Sequence, residues 1–536
     1  MVGEQEAPAG GAKAGGYAWY VLFVLVIVYA FNFIDRQILS ILVGDIKRDL
    51  GVSDAQIGFL YGTAFAVFYA LFGIPLGRLA DSWYRGRLVA IGLALWSTMT
   101  AASGFANNFT ALAAARIGVG IGEASASPAA YSMIADTFPE ERRATALSVY
   151  SAGLYIGAAM SLPLGGFVLS RWKAAYPDPT LAPLGLEGWQ AAFLTVGLPG
   201  LLLAIWVLTL REPGRRGPDG RAQPVVKPGA WAEFGRELMA IIPPLTLVSA
   251  ARIPGGGLVR NLIGLAIVVA VGLFLYRLTG DAAQWIAYGL GVYAIFSWVQ
   301  SLKFRDPPAF RLIWGSHVSM LLIAGFASIA FVTYAIGFWF PHHLEENLYG
   351  GTLSPARYFA GLTAKEEIGL IIGFGGAITS IIGVVGGGYI SDRWRQKNPR
   401  GRLYLILLTI ILPLPGAIVL LNTKDLDTFY LIFPFTHTIS SGWVGAGIAT
   451  MQDLVLPRMR ATMGATYLLG STMIGLALGP YFAGKMSMIA GDLISGLYSL
   501  YFMPPLTIGL IAYCAWRLPD AERSLVARAQ AAGEPI

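Results

Sequence analysis

Gly77-Arg78-Leu79-Ala80-Asp81, followed by Arg85-Gly86-Arg87-Leu88, has an echo in Gly388-Tyr389-Ile390-Ser391-Asp392-Arg393, followed by Arg400-Gly401-Arg402-Leu403. Each copy ends one long apolar run and opens the next, and the second loop is four residues longer. The two aspartates, Asp81 and Asp392, lie 311 positions apart. Taking out the stretch 211–316 leaves the length of six spans with short loops. The chain therefore reads as two six-helix halves with an insert.

Composition sets the class. Of 536 residues, 55% are hydrophobic and only 13% charged, with 66 glycines and a mean hydropathy of +0.61. Soluble chains carry about 25% charged residues, so a soluble globular protein is excluded. The apolar runs are continuous rather than alternating, which means helices and not a barrel. Twelve main spans fall at about 17–43, 57–80, 88–106, 109–134, 144–170, 189–210, 317–340, 366–390, 403–421, 427–451, 461–485 and 493–516. Two more runs, about 259–279 and 282–301, would bring the total to fourteen transmembrane helices. The single cysteine, Cys514, excludes a disulfide framework.

The formal charge of +7 raises the question of nucleic acid, but the 38 Lys and Arg fall between apolar runs. Most of them lie on one side, which places both termini in the cytoplasm of a multi-pass protein of the inner or plasma membrane. The division expected is a tail at 1–16, a six-helix bundle at 17–210, an insert at 211–316, a second bundle at 317–517 and a tail at 518–536. The insert is read as a Pro- and Gly-rich linker, a surface helix near Trp231 to Met239, a transmembrane hairpin turning at Arg277 to Asp281, and an interfacial piece from Pro308 to Ser316. The hairpin is expected to pack on the outside of the bundle.

Parallel six-helix halves are the architecture of major facilitator transporters. The segment Gly77-x-x-x-Asp81-x-x-x-Arg85-Gly86-Arg87 resembles that superfamily's signature between helices two and three. The resemblance implies two bundles rocking about a midplane site. A Gly there permits close helix contact, and an Asp at a helix end can pair with cations or a facing helix N-terminus.

Charge inside a span costs at least ~2.5 kcal/mol on insertion scales, so it marks function or a partner. Helix one carries Asp35-Arg36, and helix four carries Arg116-Ile117-Gly118-Val119-Gly120-Ile121-Gly122-Glu123. Counting from the helix ends at about 1.5 Å per residue puts Asp35 and Arg116 at one depth, with Glu123 two turns further inward. One reading is a coupled trio in which Asp35 and Glu123 exchange protons and Arg116 alternates between a carboxylate and an anionic substrate group. The plain alternatives are that helix one ends at Ile34, leaving Asp35 and Arg36 at the interface, and that Arg116 and Glu123 form a static ion pair. Phe65, Phe68, Tyr69, Tyr155 and Phe331 offer an apolar wall suited to an amphiphile, although such aromatics are also ordinary core. His437 could bind a head group, titrate, or be a hydrogen-bonded structural residue. His342 and His343 beside Glu345 and Glu346 make a poor metal site, and no metal or cofactor is expected. Lys365, Glu366 and Glu367 read as a solvated first turn of helix eight, and Asp453 as an inner gate residue.

Phe33-Ile34-Asp35-Arg36, the Arg116 to Ser125 stretch, and Ala135-Asp136-Thr137-Phe138-Pro139 followed by Arg143 resemble the spinster branch of the superfamily. That family moves lysophospholipids and sphingosine phosphates. The likeness assigns Asp35, Arg116 and Glu123 to proton coupling, and Arg116 and Glu123 to head-group binding; Tyr155, Phe65 and His437 complete the expected substrate set. The cytoplasmic gate would comprise Gly77, Asp81, Arg85, Arg87, Asp136, Arg143, Asp392, Arg393 and Asp453. Gly157, Pro163, Gly165 and Gly166 partly match the antiporter signature of helix five, with Ser161 standing where it has Gly. The expectation is a monomeric, proton-coupled exporter of an amphiphilic lipid, in contact with membrane lipids and not with nucleic acid. An exporter of small organic anions or drugs is the first alternative. A lipid-modifying membrane enzyme lacks a plausible triad or metal cluster, and a receptor or scaffold leaves the duplicated gate unexplained.

Overall fold

A computed structural model describes residues 15–216, 222–351 and 354–534. The first half runs through α1 (Gly16–Leu50), α2 (Asp54–Tyr61), α3 (Thr63–Ala80), α4 (Arg85–Ser103), α5 (Phe109–Glu123), α6 (Ala126–Thr137), α7 (Glu140–Ala175) and α8 (Gly188–Leu208). The insert supplies α9 (Ala230–Ile241), α10 (Leu245–Ala251), the hairpin α11 (Gly257–Thr279) and α12 (Ala282–Arg305), and α13 (Pro307–Ile313). The second half runs through α14 (His317–Leu344), α15 (Ala364–Leu370), α16 (Gly376–Lys397), α17 (Gly401–Ile411), α18 (Pro413–Asn422), α19 (Leu426–Ser441), α20 (Trp443–Asp453), α21 (Arg460–Gly470), α22 (Ala477–Ala490), α23 (Leu493–Tyr498), α24 (Met503–Arg523) and α25 (Leu525–Ala531). The all-α reading holds; Arg215–Arg216 pairs antiparallel with Ala222–Gln223 in the linker.

Local chemistry explains the breaks. α1 continues as helix past Ile34 and through Asp35 and Arg36, and ends where Gly51 takes φ 62, its N–H reaching the Lys47 carbonyl. α2 opens on a capping box of Ser53 and Gln56. α9 and α10 meet at a 97° bend. Eleven helices or helix runs among the described residues are long and apolar enough to cross a membrane. α4 and the broken runs α5–α6 and α19–α20 fall short of that measure, so the fourteen crossings expected from hydropathy rest on these three as well.

The two halves approach each other most closely at one end, opposite the one that carries the duplicated Gly-Asp-Arg loops. There α2 lies on α22: a Cβ on Gly58 would stand 2.5 Å from the Pro480 carbonyl oxygen, a distance no side chain tolerates. Gly166 of α7 meets the Lys365 carbonyl oxygen at 2.7 Å on the same measure. Thr63 Oγ1 donates to the Ala477 carbonyl at 2.7 Å, and Tyr61 stacks on Phe338 with centroids 4.1 Å apart. The hairpin does not simply lean on one bundle. Val67, Ala70 and Leu71 of α3 share a buried cluster with Ala294 of α12 and with Leu469 and Met473 of the second half, so the insert covers the seam between α3 and α21–α22.

Candidate functional site

Asp35, Arg116 and Glu123 are each at most 1% exposed, inside the first half where α1 and α5 face each other. Arg116 Nη1 donates to the Asp35 backbone carbonyl at 3.3 Å, so the two positions do share a depth. The ion pair is a different one from that expected. Arg36 Nη2 reaches Glu123 Oε2 at 2.8 Å and Asn32 Oδ1 at 3.3 Å. The Arg36 guanidinium lies 4.8 Å from the Phe33 ring, 4.6 Å from Phe65 and 5.2 Å from Tyr69. Side chains on a helix lean toward its N-terminus, which carries Arg36 back along α1 to the level of Glu123, two turns from Arg116. Asp35 faces Trp96 and Thr100 of α4 without a hydrogen bond to either.

Several polar atoms of this cluster have no hydrogen-bond partner among the described residues: Asp35 Oδ1, Arg36 Nε, Arg116 Nε and Nη2, and Glu123 Oε1. Leaving buried polar groups unpaired is costly, so the cluster retains donors and acceptors for a further group. Phe65 belongs to it, lying under both Arg36 and Arg116, the latter at 5.7 Å. Other expected members stand apart. His437 accepts or donates a 2.8 Å hydrogen bond with Thr379 of α16 and stacks on Phe433, which is the structural alternative for that residue. Tyr155 is half-buried on α7, one helical face away from Gly153 and Gly157, which pack on α1. Phe331 is packed against Phe482 and Phe502 within the second half.

The duplicated loops hold their ion pairs within their own halves, the first also taking in Glu212 at the start of the linker. Arg85 pairs with Asp136, with Glu212 Oε1 at 2.7 Å and with Ser132 Oγ at 3.0 Å. Arg402 binds Asp453 at 2.6 Å and Asp392 at 2.8 Å. The cation that holds the aspartate of the next helix is thus the first Arg of Arg-Gly-Arg in one half and the second in the other. Arg87 and Arg393 stack on Tyr84 and Tyr389 at 4.5 and 4.6 Å. Arg143 stands at the start of α7 with its Nε unpartnered among the described residues. Gly77 lies at ordinary contact from Pro128, its notional Cβ at 3.7 Å, so no close approach requires glycine there. Asp81 faces the linker's Arg215 and Lys227 together with Arg78; burial still raises its carboxyl above the usual range, against the pull of these cations. Arg215 also donates to the Ala80 and Trp83 carbonyls at 2.8 and 2.5 Å, strapping the linker over the first loop.

The first turn of helix eight overturns its expectation. Lys365, Glu366 and Glu367 are buried, not solvated. Lys365 Nζ reaches across to Asp45 Oδ2 of α1 at 2.6 Å and to Glu345 Oε2 at 3.0 Å. Asp45 also binds Lys173, while Arg171 meets Glu366 at 3.0 Å and Ser170 meets Thr363 at 2.9 Å. Glu367 accepts the backbone N–H groups of Tyr358 and Phe359 at 2.7 and 3.0 Å, fixing the loop before the helix. His342 lies 3.2 Å from Glu346 and 3.8 Å from Glu345, on the edge of this network. These groups tie the halves together at their closed end.

A model of the Major Facilitator Superfamily matches residues 25–480. An "MFS-type efflux pump" of Mycolicibacterium smegmatis is 25% identical over 88% of this chain and 84% of its own length. "Protein spinster homolog 1" of Xenopus laevis is 24% identical over 88% and 73%. A probable galactarate/D-glucarate transporter of Bacillus subtilis is 30% identical, over 38% of this chain and 43% of its own. In fold, the chain matches the crystal structure of a bacterial homologue of the human lysosomal transporter Spinster, inward-facing and unoccupied. The TM-score is 0.67, with 24% identity over 97% of this chain and 99% of that one. The chain belongs to the Major Facilitator Superfamily, a family of membrane transporters rather than enzymes, and is similar to its spinster members along both halves.

Proposed function

We propose that the chain is a proton-coupled secondary transporter that works by alternating access and moves an anionic amphiphile of the lysophospholipid or sphingosine phosphate type, substrate and proton being bound together. The observation that carries this reading is the buried Arg36–Glu123 pair under Phe33, Phe65 and Tyr69, with Asp35 and Arg116 beside it. A phosphate or carboxylate entering this site competes with Glu123 for Arg36 and finds free donors on Arg116. A buried carboxylate that loses its cation is costly to keep charged and takes up a proton. Departure of the substrate restores the pair and releases that proton. The aromatic wall offers an acyl or sphingoid chain its apolar contact, and asks for few polar partners. The excess of Lys and Arg at the gate-loop end puts that end and both termini in the cytoplasm, so the state described is closed to the outside.

A second reading has its own support: relatives named as galactarate/D-glucarate and L-galactonate transporters match over part of the chain. A small organic anion would use the same arginines. Proteoliposomes loaded with labelled lysophospholipid separate the two. On the proposed reading sphingosine phosphate competes for transport and galactarate does not, whereas competition by galactarate alone would transfer the site to small anions.

A further inference from the structure

We propose that the inserted hairpin is a latch that holds the end opposite the gate loops closed. The body of α12 lies mainly along α3 of the first half, where Val67 presses on Gly291 and Ala70 and Leu71 share a buried cluster with Ala294, while the side chains of Met473 and Leu469 reach the same cluster from the second half. The turn of the hairpin is gripped by the second half. Lys485 of α22 donates from Nζ to the Thr279 carbonyl at 2.5 Å and pairs with Asp281 Oδ2 at 2.9 Å. Tyr481 Oη donates to the same Asp281 oxygen at 2.7 Å. Trp285 stands edge-on to Tyr481 with centroids 5.7 Å apart, and its Nε1 donates to Thr279 Oγ1 at 2.7 Å, which sets the shape of the turn.

These bonds depend on the closed end. Closure seats Gly58 of α2 against the Pro480 carbonyl, one residue from Tyr481. When α2 and α22 part, Tyr481 and Lys485 move with the second half while Asp281 stays with α12 on α3. The hairpin therefore interacts differently with the two states, which is what shifts a conformational equilibrium. A partly exposed ion pair with an added hydroxyl contact is suited to this task, being strong enough to bias the equilibrium and weak enough to release.

The latch rests on the alternating-access reading, and a distance measurement without substrate tests it apart from any transport assay. Spin labels are placed at Thr180→Cys and Lys424→Cys, exposed positions in the two halves; the native Cys514 is buried and does not compete. Asp281→Asn and Lys485→Met are each expected to raise the ratio of long to short distances about fivefold in full-length protein in lipid nanodiscs. The double variant should shift it no further than either single one. Tyr481→Phe, which removes one hydroxyl from a retained ring, should give a smaller shift of the same sign. Unchanged distance distributions, or single effects that simply add in the double variant, would overturn the latch.

Discussion

Glu123 and Arg36 are buried together, and their pairing carries both stability and the proposed coupling. Removing one partner of a buried pair costs about 3–5 kcal/mol, because the other is left charged and desolvated. Arg36→Met is therefore expected to lower the melting temperature of the purified protein substantially, and Arg36→Met with Glu123→Gln to recover most of that loss. Transport should be abolished in both, so the thermal melt and the flux assay part company in the double variant. The positions of Asp35, Arg116 and Glu123 were legible from helical spacing alone. The identity of the cation was not, although a signal existed: Asn32 and Arg36 stand four apart on α1 and share a face, and Asn32 accepts from the same Arg36 nitrogen that binds Glu123.

At the scale of elements, the contact of α2 with α22 and that of α7 with α15 close one end of the molecule through backbone proximity. Gly58→Val would place a side chain where the Pro480 carbonyl sits, and is expected to reduce transport about tenfold or more by preventing closure, as read by flux and by spin-label distances across that end. Lys365→Ala leaves Asp45 with Lys173 and Arg48, and Glu345 beside His342, and so should fold, but it removes the reach of α15 to α1. Ser170→Cys, buried against Thr363, should then react about fivefold faster with a membrane-impermeant maleimide. Sequence presented Lys365, Glu366 and Glu367 as a solvated first turn of a helix, and the structure has that turn, opened by a capping box of Thr363 and Glu366. Its burial depends on Asp45 and Arg171, which are distant in the chain, and no local pattern reports such partners. The same holds for the insert: apolarity announced a hairpin, but its place over the seam depends on Val67, Leu469 and Met473 of both halves.

Across the whole molecule, the duplicated Gly-Asp-Arg loops marked the two halves because each keeps its own ion pairs, around Arg85 and around Arg402. The proposed orientation predicts that tags on both termini are reached by proteases in inside-out vesicles and protected in right-side-out ones. The central claim, that Glu123 exchanges its arginine for a proton as substrate binds, is tested most directly by flux of labelled lysophospholipid in proteoliposomes under an imposed pH gradient, comparing the native chain with Glu123→Gln. The account predicts gradient-driven accumulation by the native protein, and in the variant only exchange of label that ignores the gradient. Equal gradient-driven accumulation in both would contradict it.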